Sequence, residues 1–237
     1  QSEKAQIEKY GGFYVGRYEA GLAETIPEHT VKQIHNNTQQ VFNKEGVPQS
    51  KADVIPWMFI DWTYAKKNAE SMYDNNYVYS GLITGAQWDV MLNKFVEKEQ
   101  ITTEQLKNSL TWGNCMNNSI KYNGRMAREY VSGSWYLDPF QPAQSAKTTV
   151  YSSNNGDLLT TGASKETHVY HTFDVAGNLW EWTEEASTNA TSNQYRVYRG
   201  GACNSNYTSN PVCFRGSGVL IGQTNLTVGF RVVLYLK

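Results

Sequence analysis

The sequence predicts an α+β fold of mostly short antiparallel strands, with two helices and long loops. Residues 12–19 indicate a strand, because aromatic or aliphatic residues alternate there with small or polar ones. The helices are indicated by the apolar spacing of residues 57–73 and by the pattern Thr84-Gly-Ala-Gln87, which is typical of a capping box. Residues 102–167 are rich in Asn, Ser, Gly and Thr and show no sustained periodicity. We therefore expect a single domain over residues 1–237.

The two predicted helices each have an apolar face. The first carries Trp57, Ile60 and Ala65 at helical spacing and is expected to stop near Asn75 and Asn76. The second has an apolar face made of four residues, which are Trp88, Met91, Leu92 and Phe95.

Residues 22–53 are polar and interrupted by proline. Pro27, Pro48 and the pair Asn36-Asn37 punctuate this stretch. It is predicted to be a long excursion with short strands at most.

Composition excludes several classes of partner. The net charge is −1, so no basic stripe indicates nucleic-acid binding. No apolar run has the length of a transmembrane helix, and residues 1–4 lack the apolar core of a signal peptide, so no membrane insertion is expected. Three cysteines, Cys115, Cys203 and Cys213, contain no C-x-x-C pair and do not make a disulfide framework or a structural zinc site.

The last quarter of the chain contains the most constrained sequence. It begins with Gly177-Asn-Leu-Trp-Glu-Trp182, continues with Arg199-Gly-Gly201, and ends with Gly229-Phe-Arg231. Glycine tolerates positive φ or close backbone approach, and Trp180 and Trp182 face the same side of an extended segment. A tight turn that enters a core strand is therefore expected at Gly177.

These motifs resemble the C-terminal signature of the formylglycine-generating-enzyme, or sulfatase-modifying factor, family. Earlier stretches match in the same order: Trp62-Thr-Tyr-Ala65 resembles the family's W-x-x-A helix, Leu82 to Trp88 its helix-entry segment, and Trp112-Gly113 its W-G. The resemblance runs from about Phe13 to Arg231. It implies a compact C-type lectin-like fold of the formylglycine-generating-enzyme type.

The resemblance also raises an enzyme hypothesis, because the family contains a copper-dependent oxidase. In that enzyme two cysteines, the second five positions after the first, bind copper as soft thiolates. Counted from Gly201, the matching positions hold Ser205 and Asn210. Cys203 and Cys213 do not have the family's spacing. No other catalytic set stands out, so no catalytic residue is predicted and no enzyme activity is expected.

A structural Ca²⁺ site is implied by the same resemblance. The family wraps a calcium ion with a side chain, two main-chain carbonyls and a glutamate, which map onto Asp174, the carbonyls of Gly177 and Leu179, and Glu181. Hard oxygen donors from one tight loop suit this ion. The alternative is that Glu181 only caps or forms a salt bridge with a neighbour.

Residues 202–227 have an unusual composition. They contain no Trp, Met, Lys, Glu, Asp or His. Nearly every residue except Gln223 can be encoded by a codon whose first two bases are any nucleotide and whose third base is a pyrimidine. Adenine-directed mutagenesis of asparagine codons, the action of a diversity-generating retroelement, leaves such a composition. The variable proteins of these elements resemble this chain, with a variable C-terminal segment that here spans about 198–227. A flexible surface loop is the alternative.

The leading hypothesis is a ligand-binding display protein whose variable side chains bind a protein or glycan on another cell. The setting implied by the resemblance is the tip of a phage tail, within the virion, or a bacterial cell surface. An oxidase and a structural component without a variable site are the alternatives. Tyr207 and Phe214 are the expected anchors. The predicted ligand-binding residues are Tyr198, Ala202, Cys203, Ser205, Tyr207, Cys213, Phe214, Gly216, Gly218, Val219, Leu220 and Ile221.

Overall fold

A computed structural model of the chain describes residues 8–9, 11–23, 42–122, 126–131, 134–136, 147–149, 157–188 and 194–237. Most of the predicted polar excursion, residues 24–41, lies outside this part. Among the described residues, no helix combines the length and the apolar character that crossing a membrane requires.

Three α-helices are present in the described residues, one more than predicted. The first, α1 (Trp62–Ser71), is shorter than the predicted range because Asp61 caps it: the Asp61 carboxylate accepts a hydrogen bond from the Tyr64 amide. The second, α2 (Gly85–Glu97), begins with the predicted capping box between Thr84 and Gln87. The third, α3 (Thr103–Lys107), precedes a 3₁₀ turn (Ser109–Thr111).

The third helix was missed although it carries a helix-start signal. Thr102 and Gln105 form a capping box of the same kind as the one that opens α2. With only five residues, α3 is too short to show apolar periodicity, so the cap was the one available signal.

The strands are short, as predicted, and form four small sheets in the described part of the chain. Two sheets carry most of the fold: β1 (Tyr14–Val15), β11 (Val232–Leu236) and β2 (Val78–Leu82) pair antiparallel in that order, and β8 (Trp180–Ala186) lies between β10 (Val228–Phe230) and β9 (Arg196–Arg199). The β8–β10 pair is parallel, and β8–β9 is antiparallel. The other strands are β3 (Ile120–Tyr122), β4 (Met126–Val131), β5 (Ser134–Tyr136), β6 (Lys147–Thr149) and β7 (Leu158–Leu159).

The core lies around the start of β8. Trp180 and Trp182 belong to the same apolar cluster, which confirms that they face one side of the strand. The Trp182 indole N–H donates to the carbonyl of Ile60, 3.0 Å away, and so ties the strand to the segment before α1. Trp88 of α2 is fully buried in a second cluster. The C-terminal segment between β9 and β10 runs along both clusters.

Candidate functional site

The segment 202–227 is held at both ends by buried arginines. Arg199, at the end of β9, is fully buried and donates to Asp89 of α2 at 2.7 Å. Arg231, just after β10, is also fully buried and forms a two-pronged ion pair with Glu181, whose shortest contact is 2.6 Å. Buried arginine–carboxylate pairs have fixed geometry, so both ends of the segment have defined positions. The motifs Arg199-Gly-Gly201 and Val228-Gly-Phe-Arg231 are expected from the sequence to anchor the segment at both ends, whereas the partners Asp89 and Glu181 were not predicted.

The first half of the segment turns inward, which corrects part of the predicted binding surface. Tyr207, an expected anchor, is fully buried, and its hydroxyl donates to the Gly200 carbonyl at 3.3 Å. Its ring fills space that Cβ atoms on Gly113 and Gly201 would occupy, and its hydroxyl fills the space of a Cβ on Gly177. Burial also raises the pKa of the Tyr207 hydroxyl well above its ordinary value. Tyr207 is therefore a core residue.

Other predicted contact residues are buried for local reasons. Ala202 and Ser205 close a tight turn, since the Ala202 amide donates to the Ser205 hydroxyl at 3.1 Å and the Ser205 amide donates to the Ala202 carbonyl at 2.8 Å. Cys203 is fully buried, and its amide donates to the Asn178 carbonyl. Burial raises the pKa of the neighbouring Cys115 thiol to about 12. Because they are buried, Ala202, Cys203 and Ser205 do not belong to the surface that a ligand could contact, which corrects their predicted role.

Gly216 is also buried, because it lies directly under the ring of Tyr198. The two residues exchange backbone hydrogen bonds of 2.9 and 3.0 Å, and a Cβ on Gly216 would come within 2.2 Å of the Tyr198 ring. That ring packs edge-on against Trp180 and Trp182, with centroids 5.1 and 5.7 Å away. The Tyr198 hydroxyl accepts from the Gly218 amide at 3.0 Å. Tyr198 therefore supports the backbone of the segment and is also partly exposed to solvent.

The second half of the segment supplies the accessible surface. Phe214 is 42% exposed, with its ring centroid 6.1 Å from that of Trp180. Val219, Leu220 and Ile221 are half-buried, and so is Cys213. A smaller set of the predicted contact residues therefore keeps some exposure to solvent, namely Tyr198, Cys213, Phe214, Gly218, Val219, Leu220 and Ile221.

A charged cluster fixes the middle of this surface, and the sequence did not suggest it. The guanidinium of Arg215 bonds to Asp89 of α2 and to Glu185 of β8, the latter at 3.0 Å. Burial lowers the pKa of Arg199 in the same cluster, and the charge and hydrogen bond of Asp89 oppose that effect. Arg215 follows the exposed Phe214, so these ion pairs anchor the chain next to Phe214. No motif identifies such a contact, because Arg215 lies 126 positions from Asp89 and 30 positions from Glu185 in the sequence.

The positions that would hold copper in the resembled oxidase are structural here. The Ser205 hydroxyl accepts a hydrogen bond from the Ala202 amide. The backbone amide of Asn210 donates to the Asn206 carbonyl at 2.8 Å. Neither side chain offers a thiolate. Within the described residues, no group of three or more His, Cys, Asp or Glu side chains is placed to hold a metal ion.

The predicted calcium residues form a buried network with Arg231. Both oxygens of Asp174 accept hydrogen bonds, from the Gly162 amide at 2.6 Å and the Thr167 hydroxyl at 2.7 Å. Both oxygens of Glu181 accept from Arg231. The side-chain oxygens of Asp174 and Glu181 are thus engaged within the protein, and the Arg231 guanidinium already compensates the charge of Glu181. Calcium binding stays a prediction, which the melting experiment below decides.

A third buried carboxylate completes the network. Glu19 accepts from the Leu179 amide at 3.0 Å and from the Asn178 side chain at 2.6 Å. Burial, together with the charges of Asp174 and Glu181, raises the pKa of Glu19 well above its ordinary value. Burial also raises the pKa of Asp174 and of Glu181. The single charge of Arg231 does not balance three ionised carboxylates, which favours a protonated Glu19.

Comparison with known proteins gives a family and matches among solved structures. No curated protein matches the chain. Solved structures that match include Treponema denticola variable protein 1, at 17% identity and a TM-score of 0.34, over 70% of this chain and 51% of that chain. The match thus takes in about half of that protein's length.

The family model is more informative, since it covers nearly the whole chain. The model described as the sulfatase-modifying factor enzyme 1-like domain matches residues 5–236. This agrees with the order of motifs from Phe13 to Arg231 and with the short strands and helices of the structure. The predicted C-type lectin-like fold class is confirmed. The chain therefore belongs to the sulfatase-modifying factor enzyme 1-like domain family.

Proposed function

We propose that this chain is a non-enzymatic display protein whose C-terminal segment binds a protein or glycan on a target cell. The observation that carries the proposal is the division of segment 202–227 into a buried half and an exposed half. Phe214 is exposed and the apolar residues 219–221 are half-buried, while buried residues fix the backbone around them. Apolar side chains clustered on a polar surface are typical of contact sites.

The fixed backbone explains how side chains could change without loss of the fold. Arg199 and Arg231 hold the two ends, and the Trp62 amide donates to the Ile221 carbonyl at 3.1 Å. A pre-organised surface avoids the entropic cost of ordering a loop at each binding event. A fixed backbone of this kind suits a segment whose side chains are diversified by a retroelement, and the setting that we propose is a phage tail tip or a bacterial cell surface.

The oxidase is the second candidate, because family membership favours it. Ser205 and Asn210 stand at the positions of the copper-binding cysteines, and each takes part in a turn of the segment, through hydrogen bonds with Ala202 and Asn206 respectively. We expect the purified, copper-loaded protein to leave the cysteine of a sulfatase peptide unmodified. Formation of formylglycine in that assay would support the oxidase instead.

Sequencing the DNA beside the coding region tests the display function directly. The expected result is a reverse-transcriptase gene and a near-copy of the codons for residues 202–227, differing from them at adenines of the copy. The codons for Arg199 and Arg231 should match between copies, or lie outside them. The absence of both the gene and the near-copy would contradict retroelement diversification.

A further inference from the structure

A polar groove lies beside the exposed half of the segment. Its volume is about 640 Å³, which is within the usual range for sites that bind small ligands. None of its described lining residues is charged. They are Asn43, Gly218, Val219, Gly222, Gln223, Thr224 and Asn225.

Hydrogen bonds within the protein fix the amide side chains of the groove. Asn225 accepts through its side-chain oxygen from the amide and the hydroxyl of Thr227, both at 2.9 Å. Gln223 accepts through its side-chain oxygen from the Leu220 amide at 3.2 Å. Asn43 is locked to Asp61 by bonds of 2.9 and 3.0 Å. The side-chain oxygens of Asn225 and Gln223 are thus used internally, which leaves their NH₂ groups as donors for a ligand.

The two glycines of the groove also leave room for a ligand to approach the backbone closely. A Cβ placed on Gly222 would meet no atom within 4 Å, and one on Gly218 would meet only the Tyr198 hydroxyl. Val219 adds a small apolar strip. A flat ring with polar edges fits this side of the groove. Its C–H face can lie on Val219 while its polar edges reach the side-chain amides of Gln223 and Asn225.

Charge and backbone geometry narrow the ligand class. The described lining offers neither a cation for an acidic ligand nor a carboxylate for a basic one, and burial of an unpaired charge is costly. Residues 221–222 form a turn, and the Gln223 amide is used by the Leu220 carbonyl. This wall therefore has no strand edge to which an extended peptide could add. Neutral sugars carry dense hydroxyl groups that pair with amide donors.

We infer that this groove is a binding site for a neutral oligosaccharide. The inference rests on the proposed display function and gives it a ligand class. Gln223 and Asn225 donate to sugar hydroxyls, and Gly222 leaves room for the ring.

The test uses the full chain and a panel of immobilised neutral oligosaccharides of hexoses and N-acetylhexosamines, with sialylated and sulfated counterparts. Wild type binds neutral members in preference to acidic ones. Gly222→Phe fills the groove, and Gln223→Ala removes one donor, so each weakens binding by about tenfold or more. Gln100→Ala, an exposed amide at the end of α2, leaves binding unchanged and is the matched control.

Several outcomes would overturn the inference. They are a panel with no neutral sugar bound, binding confined to acidic sugars or to an extended peptide, and sugar binding that survives both groove substitutions. Gln223→Ala keeps the test decisive even if Gly222→Phe fails to fold. The display function fails by a different result, the absence of a reverse-transcriptase gene and near-copy, so the two failures are distinguishable.

Discussion

The ring of Tyr198 occupies the space where any side chain on Gly216 would begin. A Cβ at position 216 would lie 2.2 Å from a carbon of that ring. The ring has little freedom to move, because Trp180 and Trp182 pack against it edge-on. Side chains at positions 198 and 216 are therefore coupled, although both were predicted to be separate contact residues.

This coupling predicts a destabilised single variant and a partial rescue. Gly216→Ala should lower the free energy of unfolding by about 1–3 kcal/mol, the usual cost of overpacking. In the Tyr198→Ala background the same change should cost much less, because the ring is gone. Urea denaturation of the two single variants and the double variant measures the coupling.

Gly222→Ala is the matched control, since a Cβ there meets nothing within 4 Å. It should unfold at the same urea concentration as wild type. Equal losses from Gly216→Ala with and without Tyr198 would show that the two positions are independent.

The contrast between Tyr207 and Phe214 gives a second prediction. Tyr207→Ala should cost about 3–5 kcal/mol of stability, because it empties a fully buried site. Phe214→Ala, at a side chain that is 42% exposed, should cost about 1 kcal/mol or less. Thermal or urea unfolding of the two variants measures the difference. A stable Tyr207→Ala protein would return Tyr207 to the contact surface.

The sequence was sufficient for the scaffold and insufficient for the orientation of the segment. Gly177, Gly200 and Gly201 all have positive φ, as the motifs predicted, and the capping box of Thr84 and Gln87 is present. Motifs of this kind act locally, so a sequence displays them. The predicted start of α1 was too early, because Asp61 caps the helix and the apolar residues 57–60 lie before it.

The inward half of the segment was missed because its burial depends on distant residues. Tyr207 is covered by glycines at 113 and 177, and nothing in residues 202–227 distinguishes it from Phe214. The anchoring of Arg215 depends likewise on Asp89 and Glu185. Composition identified the segment as unusual, but only three-dimensional packing separates side chains that support it from those that a partner could touch.

The Glu181–Arg231 pair leads to a prediction about calcium. Because the guanidinium already compensates Glu181, the melting temperature should be the same in EDTA and in excess calcium. Differential scanning fluorimetry measures both conditions. A ligand that binds only the native state raises stability with occupancy, so a rise with added calcium would support the site predicted from the sequence.

Arg231→Met provides a control for that experiment. It leaves Glu181 buried without its partner, which should destabilise the protein by about 3–5 kcal/mol. If calcium stabilises this variant but not wild type, the ion and the guanidinium compete for one carboxylate. If calcium stabilises neither protein, the carboxylates at this position do not bind it.

Glu19 gives the chain a pH dependence of a defined sign. Its pKa in the folded protein is raised well above 4.5, first by burial and then by the charges of Asp174 and Glu181, while Arg231 opposes the shift. The folded state therefore keeps a proton that the unfolded chain releases. This stabilising contribution is fully present at pH values below the pKa of Glu19 in the unfolded chain. It is lost as the pH rises through the pKa of Glu19 in the folded protein. Within that window, stability should fall by about 1.4 kcal/mol per pH unit for one proton.

Urea unfolding of wild type and Glu19→Gln over a pH series measures this contribution. The glutamine variant cannot titrate, so the difference in stability between the two proteins should change with pH above 4.5 and level off once Glu19 is ionised in the folded state. Asp174 and Glu181 have raised pKa values as well and are present in both proteins, so the difference measures the titration of Glu19 together with its coupling to these two carboxylates. A difference that is independent of pH would mean that Glu19 is ionised throughout, and that Arg231 and the hydrogen bonds from Asn178 and Leu179 outweigh the cost of burying its charge.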